Sequence, residues 1–450
     1  MRQNKDYLIT EKPSRALLIF SIPMIIGNLF QQAYTIVDSA IVGRYVGETA
    51  LAAVGASYAL TSIFICIAIG GGIGASVIIS HHFGAHNYGR MKTCIRTALL
   101  SFLFISLILG GVGLIFSQQI MEVLNTPADA IDIAVTYLNI YFLGLPFLFM
   151  YNILSSMFNA LGESRIPLYL LIFSSVLNIF LDLYMVAVLN LGVAGAAYAT
   201  FISQGISAVL SLIIFVVTLQ QLQGKAEGWF SKTEFSDMSR IALPSILQQS
   251  TVSIGMMLVQ SVVNSFGTQI LAGFSAAMRI ESLCVVPMSA IGNAMSSYTA
   301  QNIGAEKEER ISQGYRAGNF MIIVIAVILC FFLEIAHKPL IALFLDNEPS
   351  AQTIVTGESY LKFIGFFFCM IGFKMAVDGI LRGAGAVKVF TIANMVNLTL
   401  RVTIAKFGAP IWGVSMVWYA VPLGWLANFL ISYGYYRTEK WKEAASKTVD

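Results

Sequence analysis

Charge is what this sequence has least of. Of its 450 residues only 11% are Asp, Glu, Lys or Arg, against about 25% in a soluble domain. So few charges cannot cover a surface that faces water, which excludes an ordinary soluble protein of this length. Cysteine and histidine are also sparse, at 5 and 4 residues. Cys66, Cys94, Cys284, Cys330 and Cys369 form no CxxC pair and lie in or beside apolar segments. They are expected to pack, not to form disulfides or hold metal. The net charge of +3 comes with no arginine-rich arm, so no nucleic-acid partner is expected. No GK[ST] follows the glycine-rich stretches 70–74 and 382–385, and no strand is expected before them. That excludes a phosphate loop and ATP-driven pumping by this chain. The lack of HExxH and GxSxG leaves no case for a membrane hydrolase, and the protein is not expected to be an enzyme. No cleavable signal peptide is expected, because the first apolar stretch is longer than an h-region and no small-residue cleavage site follows it.

What is present is apolar length. Hydrophobic residues make up 57% of the chain. Runs such as Leu17–Val42, Leu99–Phe116 and Leu168–Leu189 reach the roughly 20 residues that a helix needs to cross the hydrocarbon. Lipid gives the backbone no hydrogen-bond partners, so only helices or closed barrels span it. Barrel strands alternate polar and apolar residues, and the run SLILGGVGLIF (106–116) does not. Polar breaks divide the chain into twelve spans, at 14–43, 49–80, 94–117, 131–157, 166–189, 192–219, 239–265, 269–299, 316–336, 354–380, 388–408 and 411–436. The expected fold is an all-α integral membrane protein with both termini on one side. Lys and Arg concentrate in the termini and in every second loop, and only Arg44, Lys338, Arg401 and Lys406 fall on the other side. The positive-inside rule therefore places both termini in the cytoplasm.

The two halves resemble each other. FSIPMIIGNLFQQ in the first span meets IALPSILQQS in the seventh, pairing Pro23 with Pro244. Gly84, Ala85, Arg90 and Arg96 meet Gly304, Ala305, Arg310 and Arg316 at a constant offset of 220. Tyr137 meets Tyr360, NALGE (159–163) meets RGAGA (382–386), and Asn178 meets Asn397. The polar stretch 220–238 lies at the midpoint. The expected domains are an N-lobe at 1–219, a cytoplasmic linker at 220–238 and a C-lobe at 239–450. Six spans per half keeps the halves in one orientation, so a pseudo-twofold axis along the membrane normal relates them. Transporters with such repeats carry their substrate between the halves.

Charged residues inside a span are functional candidates by default. The first span carries a stripe of Asn28, Gln31, Thr35 and Asp38, spaced by steps of three and four along one helix face. The fifth carries Ser174, Asn178 and Asp182 at steps of four, and the sixth begins a stripe with Thr200, Gln204, Ser207 and Ser211. Counting about 1.5 Å per residue from the span ends puts Asp38, Asp182 and Thr200 at one depth, roughly 8–12 Å below the outer surface. Asn178 is one turn deeper. Two carboxylates, an amide and a hydroxyl together can hold Na⁺ through oxygen ligands or bind and release H⁺. Val259 and Arg401 stand where the second half would need its aspartates, so this site exists in the first half only. Gln249 and Gln260 on the seventh span join Asn28, Gln31, Thr35 and Gln204 as candidates to line a substrate path. Lys374 and Asp378, four apart in the tenth span, read as an ion pair that snorkels to the cytoplasmic surface. HHFGAH (81–86) reads as a polar loop, because its repeat is QNIGAE.

These residues carry a family resemblance. PMIIGNLFQQAYTIVDSAIVGRYVG in the first span, LNIFLD in the fifth, GVAGAAYAT opening the sixth and the repeated GA loops resemble the multidrug and toxic compound extrusion (MATE) transporters over nearly the whole chain. The likeness runs to the branch named for DNA-damage-inducible protein F. It implies twelve helices in two lobes that alternate in access, and antiport of organic cations and other drugs against H⁺ or Na⁺. It also implies a cation site in the N-lobe at Asp38, Asn178, Asp182 and Thr200, and a helix bend at Pro23. The other bacterial branch has an acidic residue where this chain has Val252. A monomer in a bacterial cytoplasmic membrane is expected, with no cofactor beyond the coupling ion. A flippase for lipid-linked precursors is the alternative.

Overall fold

The computed structural model describes residues 6–46, 48–124, 126, 130–345 and 350–449. Among them all regular structure is helical: α1 (Tyr7–Thr10), α2 (Pro13–Tyr45), α3 (Glu48–Gly84), α4 (Tyr88–Val123), α5 (Ile131–Ala160), α6 (Arg165–Asp182), α7 (Gly192–Gln220), α8 (Lys232–Asn264), α9 (Thr268–Gly304), α10 (Glu309–Ala342), α11 (Ala351–Gly365), α12 (Phe368–Gly383), α13 (Val387–Thr403), α14 (Ala409–Trp412), α15 (Ser415–Arg437) and α16 (Trp441–Val449). Among the described residues, eleven helical stretches are long and apolar enough to cross a membrane, and the bent pair of α11 and α12, taken as one span, makes a twelfth. The bend is 53°. The sequence reads 354–380 as one span, and no proline marks the break at Phe366 and Phe367. The eleventh span runs on to Trp412 and stops at Gly413, whose φ of 85° ends it. The polar midpoint stretch is already helical from Lys232, and the segment before it is laid along α4: Lys92 Nζ donates to the Leu222 and Gly224 carbonyls, each at 2.8 Å.

The repeat shows in backbone detail. α3 ends with Ala85 N–H bonded to the His81 carbonyl and Asn87 N–H to that of His82, with His86 at φ 54°. α9 ends the same way at Ala305, Lys307 and Glu306, the last at φ 58°. These left-handed C-terminal turns satisfy carbonyls that the helix end leaves open. The second pair matches as well, with Gly162 at φ 80° and Gly385 at φ 71°. A π-helical turn follows α6 at Leu183–Val188 and another follows α13 at Ile404–Gly408.

By compactness the chain forms two units, Ile26–Ile246, and Met1–Ile25 with Leu247–Asp450. α2 and α8 each pass from one unit to the other two residues beyond a buried or half-buried proline, Pro23 and Pro244. Each proline removes one i→i−4 hydrogen bond from a helix that is otherwise continuous. The first unit is centred on Phe142, Leu145, Phe149 and Ala68. The second is centred on Phe274, Tyr298, Tyr360, Phe368 and Phe390. Phe104 and Ile115 on α4 and Phe320 and Ile335 on α10 are exposed, the apolar-out pattern of helices that face lipid.

Close backbone approach holds α9 to α12. A Cβ on Gly379 would lie 2.2 Å from the Gly292 carbonyl oxygen, and one on Gly383 2.4 Å from that of Ser296. Small residues allow such contacts between spans. Gly379→Ala is expected to lower stability by about 1–3 kcal/mol, since the blocking atom is backbone and the helices must part. Gly434→Ala, with nothing within 4 Å, is the control. Thermal unfolding of the two purified variants in detergent checks this; equal midpoints would refute it.

Candidate functional site

Asp38 of α2, Asn178 and Asp182 of α6 and Thr200 of α7 meet inside the unit Ile26–Ile246. Asn178 and Asp182 are buried, at 1% and 0% exposure. One orientation of the Asn178 amide satisfies all its neighbours. Its Nδ2 then donates to Asp182 Oδ2 at 2.9 Å and to Tyr34 Oη at 2.6 Å, and its Oδ1 accepts from the Thr200 N–H at 3.1 Å. Tyr34 Oη is also within hydrogen-bond reach of Thr200. Asp38, half-buried on α2, lies close enough to Asp182 for the two carboxyls to share a hydrogen bond. Tyr137 of α5 lies beside both acids.

Two facing carboxylates offer acceptors only. Asp182 Oδ1 is buried and has no donor. An orphaned acceptor of this kind, next to a second carboxyl, is completed by one proton held between the acids or by a cation that bridges their oxygens. Hard cations take oxygen ligands, and every group around the pair offers oxygen. The π turn directly after Asp182 is the kind of local widening that often accompanies functional sites.

Asp38, Asn178, Asp182 and Thr200 thus stand together. Sequence reasoning missed Tyr34 and Tyr137. Tyr34 is one turn before Asp38, and its ring reads as apolar among Gln31, Gln32, Thr35 and Asp38. Tyr137 was visible only as a repeat match. The other candidates are dispersed. Asn28, Gln31 and Thr35 are exposed along α2, where Thr35 Oγ1 bonds the Gln31 carbonyl at 2.9 Å. Gln204 is half-buried on α7. Gln249 and Gln260 belong to the other unit, and Gln260 Nε2 donates to Ser275 at 3.3 Å. Pro23 is buried in an uninterrupted α2.

Two other expectations are corrected. Lys374 and Asp378 do form an ion pair, at 3.1 Å, but it does not snorkel: the residues are 4% and 3% exposed. Lys374 Nζ also donates to Asn394 Oδ1 at 3.2 Å, and Ser432 donates to Asp378 Oδ1 at 2.7 Å. These side chains from α13 and α15 supply the partners that water would supply at the surface. HHFGAH is not a polar loop. His81 and His82 are buried in the last turn of α3, and His82 Nε2 lies 3.0 Å from Glu234, which Arg90 also meets at 3.3 Å. No group of three metal-ligating side chains occurs among the described residues.

Twelve apolar spans in two halves, with a paired carboxyl site buried in one of them, define an integral membrane transporter. The MatE family profile matches this chain twice, over residues 23–184 and 244–406, one match per repeat. The chain belongs to that family, the MATE transporters, which are not enzymes. A relative from Bacillus subtilis, described as the probable multidrug resistance protein YpnP, is 32% identical over 95% of this chain and 96% of its own length. A Shewanella oneidensis protein described as an FAD transporter is 23% identical over 94% of each chain. The solved outward-facing structure of a multidrug resistance MATE transporter superposes with a TM-score of 0.91 at 24% identity, covering 99% of this chain and 100% of that one. It shows the same twelve-span, two-lobe fold.

Proposed function

We propose that this protein is a secondary active exporter of small amphipathic molecules, often cationic, driven by antiport with H⁺ or Na⁺. The observation that carries the reading is the orphaned Asp182 Oδ1 facing Asp38 within a shell of Tyr34, Tyr137, Asn178 and Thr200. Asp38, Asn178, Asp182 and Thr200 bind the coupling ion. Asn28, Gln31, Thr35, Gln204, Gln249 and Gln260 contact the drug on its path, and Pro23 is where α2 yields as access changes. The lobes are 1–219 and 239–450, with both termini in the cytoplasm, in accord with the loop charges. The protein works as a monomer in a bacterial cytoplasmic membrane and needs no cofactor. The names of the relatives above, multidrug resistance and FAD transport, favour export of soluble organic molecules over flipping of lipid-linked precursors. Flavin nucleotides therefore belong beside cationic dyes in the substrate panel.

The test is dye efflux from proteoliposomes with Na⁺ and proton gradients imposed separately. Efflux is expected with one or both gradients and to cease when both are collapsed. No transport under either gradient, for cationic dyes and flavin nucleotides alike, would overturn the reading.

A further inference from the structure

The second lobe repeats the site with its charge logic changed. At the place of Asp182 stands Arg401, near the end of α13 and ahead of the matching π turn. Arg401 is 9% exposed, and its Nε and Nη2 are buried with no hydrogen-bond partner. Glu281 of α9, 5% exposed, accepts a 2.6 Å hydrogen bond from Tyr360 Oη. Tyr360 is the repeat mate of Tyr137, the tyrosine beside Asp38 and Asp182. Arg401 stands within electrostatic reach of both Glu281 and Tyr360, without a direct ion pair to Glu281. Each lobe therefore holds buried acid beside the same tyrosine. In the first lobe the positive charge that completes the group must arrive from solution. In the second it is attached to the chain.

We infer that Arg401 is a tethered counter-cation: it neutralises Glu281 in place of an exchanged ion and so confines ion exchange to the first lobe. The inference rests on the reading of Asp38 and Asp182 as the coupling site. A carboxylate buried in a membrane protein needs a partner charge. A guanidinium cannot lose its proton in a protein, so the charge it supplies never leaves during a cycle. With Nε and Nη2 unpaired, the guanidinium is free to act on Glu281 through its field. The titratable groups that act on Glu281 are Tyr360 from α11, Arg401 from α13 and, on its own helix, Cys284. On α12, Lys374 is paired with Asp378, and Arg382 donates to Ser296 and Asn293. Thr61 holds the place of Glu281 in the first repeat. Ion stoichiometry is then set by one side chain in the lobe that does not exchange ions.

The test is Arg401→Ala in a chain that already carries Asp38→Asn and Asp182→Asn, so that the first lobe no longer responds. Without Arg401, the folded state gains by taking up a proton or Na⁺ at Glu281, so its stability rises as pH falls or Na⁺ is added. The melting temperature of the purified triple variant is expected to climb by roughly 5 °C between about pH 8 and about pH 5 relative to the double variant. Glu281→Gln should remove that climb, and Arg401→Lys should never show it. If Arg401→Ala yields no folded protein, recovery of membrane yield by adding Glu281→Gln carries the same conclusion, and failure to recover overturns it. A triple variant with the pH and Na⁺ response of the double variant also overturns it. This readout is stability, so it stands whether or not the Asp38 and Asp182 variants lose transport.

Discussion

Asp182→Asn is expected to reduce ion-driven efflux to background, a loss of at least about a hundredfold, in protein that is folded and inserted at normal levels. The shape is kept, because an asparagine can still accept from Asn178 Nδ2, which now lies 2.9 Å from Asp182 Oδ2. What is lost is the charge facing Asp38. Driving a two-state equilibrium from 1:99 to 99:1 takes about 5.5 kcal/mol of differential ion binding. A pair reduced to one carboxyl cannot hold its ion as the intact pair does. Asp38→Asn should therefore act alike, and the double variant should be no worse than either single one, as expected of groups that work as a unit. The measurement is dye efflux from proteoliposomes at matched protein content, with thermal unfolding as the control for folding. Ordinary gradient-driven transport by either single variant would remove both acids from the coupling site.

Asp378→Ala is expected to be the most destabilising polar substitution in the second lobe. It leaves the Lys374 ammonium, 4% exposed, with only Asn394 Oδ1 as partner. Removing one member of a buried ion pair costs about 3–5 kcal/mol, because the charge left behind is uncompensated. Replacing both, as Lys374→Met with Asp378→Leu, should return most of that loss, since a buried pair is often no better than well-packed apolar residues. A pair at the surface would behave otherwise, with a cost below about 1 kcal/mol for either single change. Thermal unfolding of the two single variants and the double variant forms the cycle. A mild effect of Asp378→Ala, or no recovery in the double variant, would contradict burial as the source of the loss.

What repeats locally was legible in the residues alone. Long apolar runs dictate spans, because lipid removes every backbone conformation that leaves hydrogen bonds open. Offsets near 220 residues revealed the repeat, and a helical period of three to four placed Asn28, Gln31, Thr35 and Asp38 on one stripe and Asn178 with Asp182 on another. The absence of acids at Val259 and Arg401 was plain in the same alignment. Tertiary structure alone decided which distant groups meet. Tyr34 reaches Asn178 across 144 residues of chain, and Tyr360 reaches Glu281 across 79. No local pattern specifies such pairs, since a helix face announces that it is polar without naming its partner. The same holds for Lys374 and Asp378. Their spacing of four residues made them a pair, yet whether the pair faces water or packed helices depends on α13 and α15, which bring Asn394 and Ser432 to it. The bend between α11 and α12 was equally hidden: no proline marks it, and Gly365, which ends α11, is one of 37 glycines.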